Sequence, residues 1–340
     1  MIKITMFSAA DSVKGQGVGS VYLELVKLLK TRASDQLTIQ INRYGRSDIS
    51  HYHTVNFPYY LSTFMPGRGR KIGFVHFLPE TLEGSLKLPK IAKAVFYRYV
   101  IAFYKRMDQL VVVNPSFISK LEAYGIPKEH ITYIPNFVSA TSFHPADAET
   151  KLHLRKQYGY QDRFTILGSG QVQVRKGVFD FIELAKRHPE MQFIWTGGFS
   201  FGRITDGYED LKQVVDNPPD NLSFPGIVDR DKLVDYYNMA DLFLLPSYNE
   251  LFPMSVLEAF STHTPVLLRD LDLYHAIIQD DYAAAKDVEE MDAWIKKLST
   301  DEQALTALKT KAKHAADYYS EARLAKIWIE FYTEQAKRGK

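Results

Sequence analysis

The chain has 340 residues, 46% of them hydrophobic and 13% aromatic, which is material for two domains with cores of their own. It has no cysteine, which excludes a disulfide framework, a thiolate nucleophile and a Cys-ligated metal and fits a reducing cytoplasm, and it has no apolar run near the roughly 18 residues that span a bilayer. The net charge of +2 hides an asymmetry, since residues 1–147 sum to +8 and residues 148–340 to −6; a basic first half points to anionic partners such as lipid headgroups, nucleic acid or phosphates.

In chain order, the opening Met-Ile-Lys-Ile-Thr-Met-Phe-Ser reads as a first β-strand, not as a signal peptide. Strand-like runs at 2–8, 72–76, 110–114, 164–168, 192–196, 241–246 and 265–268 alternate with amphipathic helical stretches at 19–31, 115–124, 177–188, 229–239 and 253–262. Such alternation predicts parallel sheets covered by helices, and there are too many strands for one ordinary sheet. The fold expected is α/β, with two Rossmann-like domains facing a cleft. The turn formers of "PNFVSATSFHPADAET" place the join near 136–150, giving domains at 1–147 and 148–319. The long helical end, 303–336, has no strand after it.

The first βα turn holds Gly15, Gly17 and Gly19 ahead of a helix, where bare backbone amides can approach a diphosphate. The third glycine comes one residue too early for the dinucleotide-binding G-x-G-x-x-G pattern, so a plain tight turn is an equal reading. At the head of the second half, "ILGSGQVQVRKGVFDFIELAK" ends a strand at Gly168 and carries Arg175 and Lys176 to a helix start, a place where cations neutralise a leaving phosphate. Further on, "LLPSYNELFPMSVLEAF" sets Glu250 before a helix and Glu258 inside it. Amides around Leu251, Phe252, Met254 and Ser255 lie at the helix start, and Pro253 suits the first turn because its missing N–H is one the helix does not use. A carboxylate accepts two hydrogen bonds side by side and so suits vicinal hydroxyls of a ribose or hexose. The plain structural alternative is one Glu favouring the helix dipole and one exposed Glu.

Together Glu250-x7-Glu258 with "LFPMSVLEA", the Arg175-Lys176-Gly177 loop, "NLSFPGIVDRDKLVDYYNMADLFLLPS" and the glycine-rich turn resemble the retaining family 4 glycosyltransferases of the GT-B fold, over nearly the whole chain. The resemblance implies that a last helix over 320–340 crosses back onto the first domain, that Glu250 contacts the donor sugar and Glu258 the nucleotide ribose, that Lys176 matches the family lysine on the diphosphate, and that His76 in "IGFVHFLPE" faces the sugar. Gln171 stands where the family usually has an arginine, and Arg175 is the residue that would replace its charge. The base would meet Ile227 and Val228. "FSAADSVKGQGVGS", "SDISHYHTVNFPYYLS" and "VHFLPETLEGSLKLP" are similar to the Gram-positive synthases that glycosylate diacylglycerol glycolipids. The expected reaction moves a hexose from UDP-galactose, or UDP-glucose, to a glucosyl-diacylglycerol with retained α configuration; glucosylation of diacylglycerol itself is the nearest alternative. No cofactor and no metal are expected, and a homo-oligomer is left open.

Residues 87–107 place Lys87, Lys90, Lys93, Arg98 and Lys105 on one helical arc, largely opposite Ile91, Val95, Phe96, Tyr99, Ala102 and Phe103. With Arg68, Arg70 and Lys71 upstream, this reads as a basic surface on an anionic leaflet, or as a helix packed by its apolar face with its basic face solvated. The location expected is cytoplasmic and peripheral, on the inner face of the cell membrane. Three other functions are weighed. An NAD-dependent oxidoreductase needs an acidic residue ending the second strand, and "LTIQINRY" offers none. A nucleic-acid binder lacks a recognition helix or stacking sheet, so no nucleic-acid partner is expected. A nucleotide-sugar epimerase shares the architecture. Asp270-x-Asp272 is read as a loop boundary, and His51 with His53 as half a metal site that nothing completes.

Overall fold

The computed structural model describes residues 1–9, 17–79, 89–199, 202 and 207–339. They form two compact units, changing over between Phe137 and Val138 and again between Ser320 and Glu321.

The first unit runs β1 (Ile2–Phe7), α1 (Gly17–Arg32), β2 (Leu37–Ile41), β3 (Ile49–Tyr52), α2 (Phe57–Ser62), β4 (Arg70–Val75), α3 (Lys90–Lys105), β5 (Gln109–Val112), α4 (Ser116–Ala123) and β6 (Ile131–Tyr133). Its six strands pair in parallel in the order β2-β1-β3-β4-β5-β6. The strands are nearly continuous apolar runs, as a sheet covered on both faces requires: Ile4, Met6, Phe7, Ile72, Phe74 and Val75 are all buried. The last helix, α13 (Glu321–Arg338), returns to this unit and packs against α1, β3 and β4.

The second unit runs α5 (Ala148–Gln157), β7 (Thr165–Ser169), α6 (Val178–Arg187), β8 (Gln192–Thr196), α7 (Tyr208–Asp216), β9 (Leu222–Gly226), α8 (Arg230–Met239), β10 (Leu242–Leu245), α9 (Met254–Ser261), β11 (Val266–Arg269), α10 (Asp272–His275), β12 (Ala283–Ala285), α11 (Val288–Thr300) and α12 (Glu302–Tyr318). The strand order is β12-β11-β10-β7-β8-β9, again parallel. The long helical end is therefore two helices. They break where Tyr319 turns its ring onto Phe252, with centroids 5.2 Å apart, and its hydroxyl onto the Ile277 carbonyl.

Both sheets reverse direction once. The chain moves outward from β1 to β2 and then restarts at β3; likewise it runs from β7 through β9 and restarts at β10. Open parallel sheets bind ligands outside the carboxyl ends of strands at such a switch point, because the two flanking loops diverge there and leave a crevice. In the second unit those loops follow β7 and β10.

Candidate active site

The loop after β7 passes Gly170, makes one 3-10 turn at Val174–Lys176 and ends at Gly177 with φ of 71°. A Cβ on Gly177 would lie 2.2 Å from the Pro246 carbonyl oxygen, so only glycine lets this turn rest on the end of β10. The Tyr248 amide donates to the Arg175 carbonyl at 2.8 Å and closes the contact. Two loops 70 residues apart in sequence are thus clamped together, and Lys176 reaches Glu250, Nζ to Oε1, at 2.5 Å. The two side chains are only 10% and 6% exposed.

Burial pushes the Glu250 carboxyl up, but Lys176 and Arg175, with hydrogen bonds from Lys176 and Ser247, outweigh it and leave the group below its ordinary value. Burial also pushes the Lys176 ammonium down, Glu250 opposes that shift, and Arg175 adds to it, so the net direction is downward. The outcome is an ionised carboxylate held by a buried cation, which stands only because each compensates the other. Arg175 donates through Nη1 to the Asn249 carbonyl at 3.0 Å, while its Nε is buried with no partner among the described residues. Gln173 donates to Gln171 at 2.8 Å, and the Gln173 Oε1 is likewise buried without a partner.

α9 starts after Pro253, which is extended at φ −68° and ψ 128° and provides no side-chain cap. The amides of Met254 and Ser255 have no acceptor within the helix, so the head of α9 favours negative charge. Phe252 is buried against Tyr319, which anchors the approach, while Leu251 and Ser255 are half-buried. Neither acid is the exposed glutamate of the plain structural reading. Glu258 is buried, its Oε1 accepting from Arg230 at 2.8 Å and its Oε2 from Tyr237 at 2.8 Å. Burial, then Glu258, pushes the Tyr237 phenol well above its ordinary value, so it stays a donor. Ile227 is exposed and Val228 half-buried on the loop between β9 and α8. That loop approaches the Gln171 loop through Gly197 and Gly198: a Cβ on Gly197 would lie 1.8 Å from the Gly170 oxygen, and Gly198 accepts from the Val172 amide at 3.0 Å.

The second unit therefore brings together Gln171, Arg175, Lys176, Glu250 and the head of α9, with Glu258 inside the same helix. Sequence reasoning missed Arg230, Tyr237, Gln173 and Ser247. Their only sequence signal is polarity: Arg230 and Tyr237 act on Glu258 from 28 and 21 residues away, and Gln173 and Ser247 act within their own loops.

The first unit differs from expectation in three places. Gly15 lies outside the described residues, and Gly17 and Gly19 do not precede α1 but form its first turn. The apolar positions from Val21 onward bury well, and they carry the helix back through glycines whose first amides need no intrahelical partner anyway. His76 is not isolated. It stacks on Phe74 with centroids 4.3 Å apart and lies 6.0 Å from His53, which in turn lies 4.1 Å from His51. His51 meets the Tyr332 hydroxyl at 2.7 Å, whereas His51 Nε2, both nitrogens of His53 and His76 Nε2 have no partner among the described residues. Burial holds His51 and His76 down to about 3 and His53 well below its ordinary value, so all three imidazoles are neutral.

Arg68 is not on a membrane-facing surface. It is buried, donates to the carbonyls of Arg43, Tyr44 and Gly45, and lies 5.6 Å over the Phe7 ring. A guanidinium enclosed by three carbonyls is a bracket for that loop, since burying it unpaired would be costly. Arg70 is tied to Gln335 at 2.7 Å, and Lys71 to Asp108 at 3.2 Å. Lys87 lies outside the described residues, and Lys90 is the first residue of α3. Arg98 and Lys105 are exposed, and Lys93 lies 5.5 Å over the Tyr97 ring. Asp270 pairs with His275 at 2.9 Å, and Asp272 opens α10.

Sequence comparison gives the family of the chain. The pattern of the family described as Glycosyl transferases group 1 matches residues 151–315, and that of Glycosyltransferase Family 4 matches residues 14–142. The alpha-galactosylglucosyldiacylglycerol synthase of Streptococcus pneumoniae is 52% identical over 341 residues, covering 100% of this chain and 91% of that one. The processive diacylglycerol alpha-glucosyltransferase of Acholeplasma laidlawii is 23% identical over 81% of this chain and 80% of its own. Among solved structures, Anabaena HepE in complex with UDP and glucose superposes with a TM-score of 0.79 at 14% identity, covering 98% of this chain and 100% of that one. A sucrose-phosphate synthase from Thermosynechococcus elongatus gives 0.79 at 15%, covering 98% and 99%. Two parallel six-stranded units of this kind are the GT-B fold. The chain belongs to the group 1 and family 4 glycosyltransferases, and it is a hexose-transferring enzyme.

Proposed function

We propose that this glycosyltransferase moves a hexose, galactose in preference to glucose, from its UDP-sugar to a glucosyl-diacylglycerol at an anionic membrane surface, with retention at the anomeric carbon. The observation that carries this reading is the buried Lys176–Glu250 pair set directly before the open head of α9. A diphosphate there would meet two cations and a helix N-terminus. The sugar hydroxyls would meet Glu250, and the ribose would share Glu258 with Arg230 and Tyr237, each carboxylate oxygen having a second lone pair to accept with. Ile227 offers an apolar surface for the base. The name of the pneumococcal relative supports a glycosyl-diacylglycerol product.

In the proposed reaction the bond from the anomeric carbon to the β-phosphate oxygen breaks and its electron pair leaves with UDP. The acceptor oxygen bonds to that carbon on the same face, and its proton passes to the β-phosphate. Lys176 and Arg175 neutralise the departing charge, which leaves no electrostatic task for a metal ion. No described helix is long and apolar enough to cross a membrane, so attachment would be peripheral.

The test offers UDP-galactose and UDP-glucose separately, each with diacylglycerol and with glucosyl-diacylglycerol, and identifies the lipid products. A galactosyl-glucosyl-diacylglycerol is expected; no transfer to either lipid from either donor overturns the reading. The Acholeplasma relative's name favours one second reading, glucose placed directly on diacylglycerol, which the same assay separates. Hydrolysis or epimerisation of the donor with no acceptor requirement would instead place the enzyme in another class.

A further inference from the structure

α2 is a short helix with an inverted exposure pattern. Phe57 and Leu61 recur at i and i+4 on one face of α2, and Phe64 and Met65 follow in the turn after it, yet the first three are 60%, 51% and 57% exposed and Met65 is 46% exposed. The opposite side is firmly seated. Tyr59 is buried with its hydroxyl on the Ser8 carbonyl at 3.0 Å, and Ser62 meets the Tyr52 hydroxyl at 3.0 Å. Tyr60 packs edge-on against Tyr99 of α3 with centroids 5.5 Å apart, and the Tyr99 hydroxyl donates to the Val55 carbonyl at 2.6 Å. The outward face is therefore held rigidly in solvent, not loosely folded. α3 extends it: Val95, one turn before Tyr99, is 63% exposed and Ile91 82% exposed, while Val100, Phe103 and Tyr104 further along are buried.

The charge around this face has one sign. Residues 49–79 and 89–107 contain neither Asp nor Glu. The Arg106 guanidinium lies 4.2 Å over the Phe64 ring and donates to the Thr63 carbonyl at 3.3 Å, and Arg98 is exposed on α3. A protein–protein interface surrounds its apolar core with a polar rim of hydrogen-bonding groups. Apolar tips beside a guanidinium, on stretches that carry cations and no acids, match an anionic headgroup layer above an acyl interior.

We propose that α2 and the turn after it are the membrane wedge of this enzyme: Phe57, Leu61 and Phe64, with Met65, enter the headgroup–acyl boundary of an anionic leaflet while the cations beside them hold the headgroups. The inference rests on the membrane part of the functional reading and moves the main attachment from the basic arc of α3 and the 68–71 loop to α2. It assigns the basic side chains a supporting role, consistent with Arg68 being buried and with Arg70 and Lys71 having partners inside the protein.

The test is sedimentation of the full chain with vesicles of phosphatidylglycerol and phosphatidylcholine, for wild type and a Phe57→Ser/Leu61→Ser/Phe64→Ser variant. Removing three half-exposed apolar side chains should weaken vesicle binding by about a hundredfold, with only a small drop in the thermal midpoint from the lost ring contacts to Tyr99, Tyr60 and Arg106. Turnover on a short-chain, water-soluble glycolipid acceptor should persist, since none of the three touches the donor site. As an independent readout, Phe64→Trp should give a blue-shifted emission on anionic vesicles. Equal vesicle binding by the triple variant, or no spectral shift, overturns the wedge. So does loss of a dimer in the triple variant, which would make α2 an interface between copies. If α2-dependent vesicle binding is found but no hexose reaches any lipid, the functional reading fails and the wedge stands.

Discussion

The buried histidine file of the first unit makes acid stability a direct readout of the structure. His51 and His76 are held to about 3, and His53 is held well below the ordinary 6.5, first by burial. For His51 and His53 the neighbouring imidazoles add to it. In the unfolded chain each titrates near 6.5. Below that pH the unfolded state binds protons that the folded state refuses, so stability falls as pH falls, by about 1.4 kcal/mol per pH unit for each imidazole. Between pH 7 and pH 5.5 three such groups remove about 4 kcal/mol, a large share of the roughly 5–15 kcal/mol that holds a domain. Urea denaturation followed by the fluorescence of Trp328, which packs 5.8 Å from His51, should therefore show the first unit's midpoint dropping steeply across this range. His53→Phe, which keeps the ring and removes the titration, should take away about a third of the dependence. A midpoint that does not move from pH 7 to pH 5.5, or an imidazole titrating near 6.5 in the folded protein, would refute the reasoning.

Other outcomes follow from the second unit. Lys176→Met leaves Glu250 buried beside Arg175 alone and should cost about 3–5 kcal/mol, or roughly 10 °C in the unit's melting midpoint. With its carboxyl pushed up by burial, this variant should be closer to wild type at pH 5 than at pH 8, and adding Glu250→Gln should recover much of the loss; equal deficits at both pH values would rule the pair out as the cause. Lys176→Ala should slow turnover by about a hundredfold or more, as expected when one donor to a leaving oxyanion is removed, measured as initial rate at saturating UDP-sugar. Glu258→Ala should weaken UDP binding in calorimetry, whereas Glu250→Ala should mainly lower turnover while UDP still binds; full activity in both would displace the site. Turnover should be unchanged by EDTA, and a loss restored by a divalent cation would show that Arg175 and Lys176 do not suffice for the diphosphate.

Much of this protein is legible in one dimension because its main signals are local. Strands such as Leu242–Leu245 and Gln192–Thr196 are apolar runs bounded by polar turns, and helices such as Val178–Arg187 carry their period in neighbouring residues. The Glu250–Glu258 spacing is likewise local, because nine residues of loop and helix hold both acids. What escaped includes Ile49–Tyr52, Leu222–Gly226 and Ala283–Ala285, which mix polar, small or turn-forming residues into short runs and are strands because neighbours pair with them.

The sequence by itself determined the alternating elements, the parallel sheets they imply and the residue types of the site, since each depends on side chains a few positions apart. Only the tertiary structure decided which charges are spoken for. Lys176 meets Glu250 because Gly177 lets one loop rest on another; Glu258 is gripped by Arg230 and Tyr237; Arg68 is folded inward onto carbonyls. It also decided that Phe57, Leu61 and Phe64 face outward while His51, His53 and His76 face in. Burial and pairing at these positions are set by contacts between distant segments, and no local pattern of hydrophobicity or charge encodes which surface a neighbour will cover.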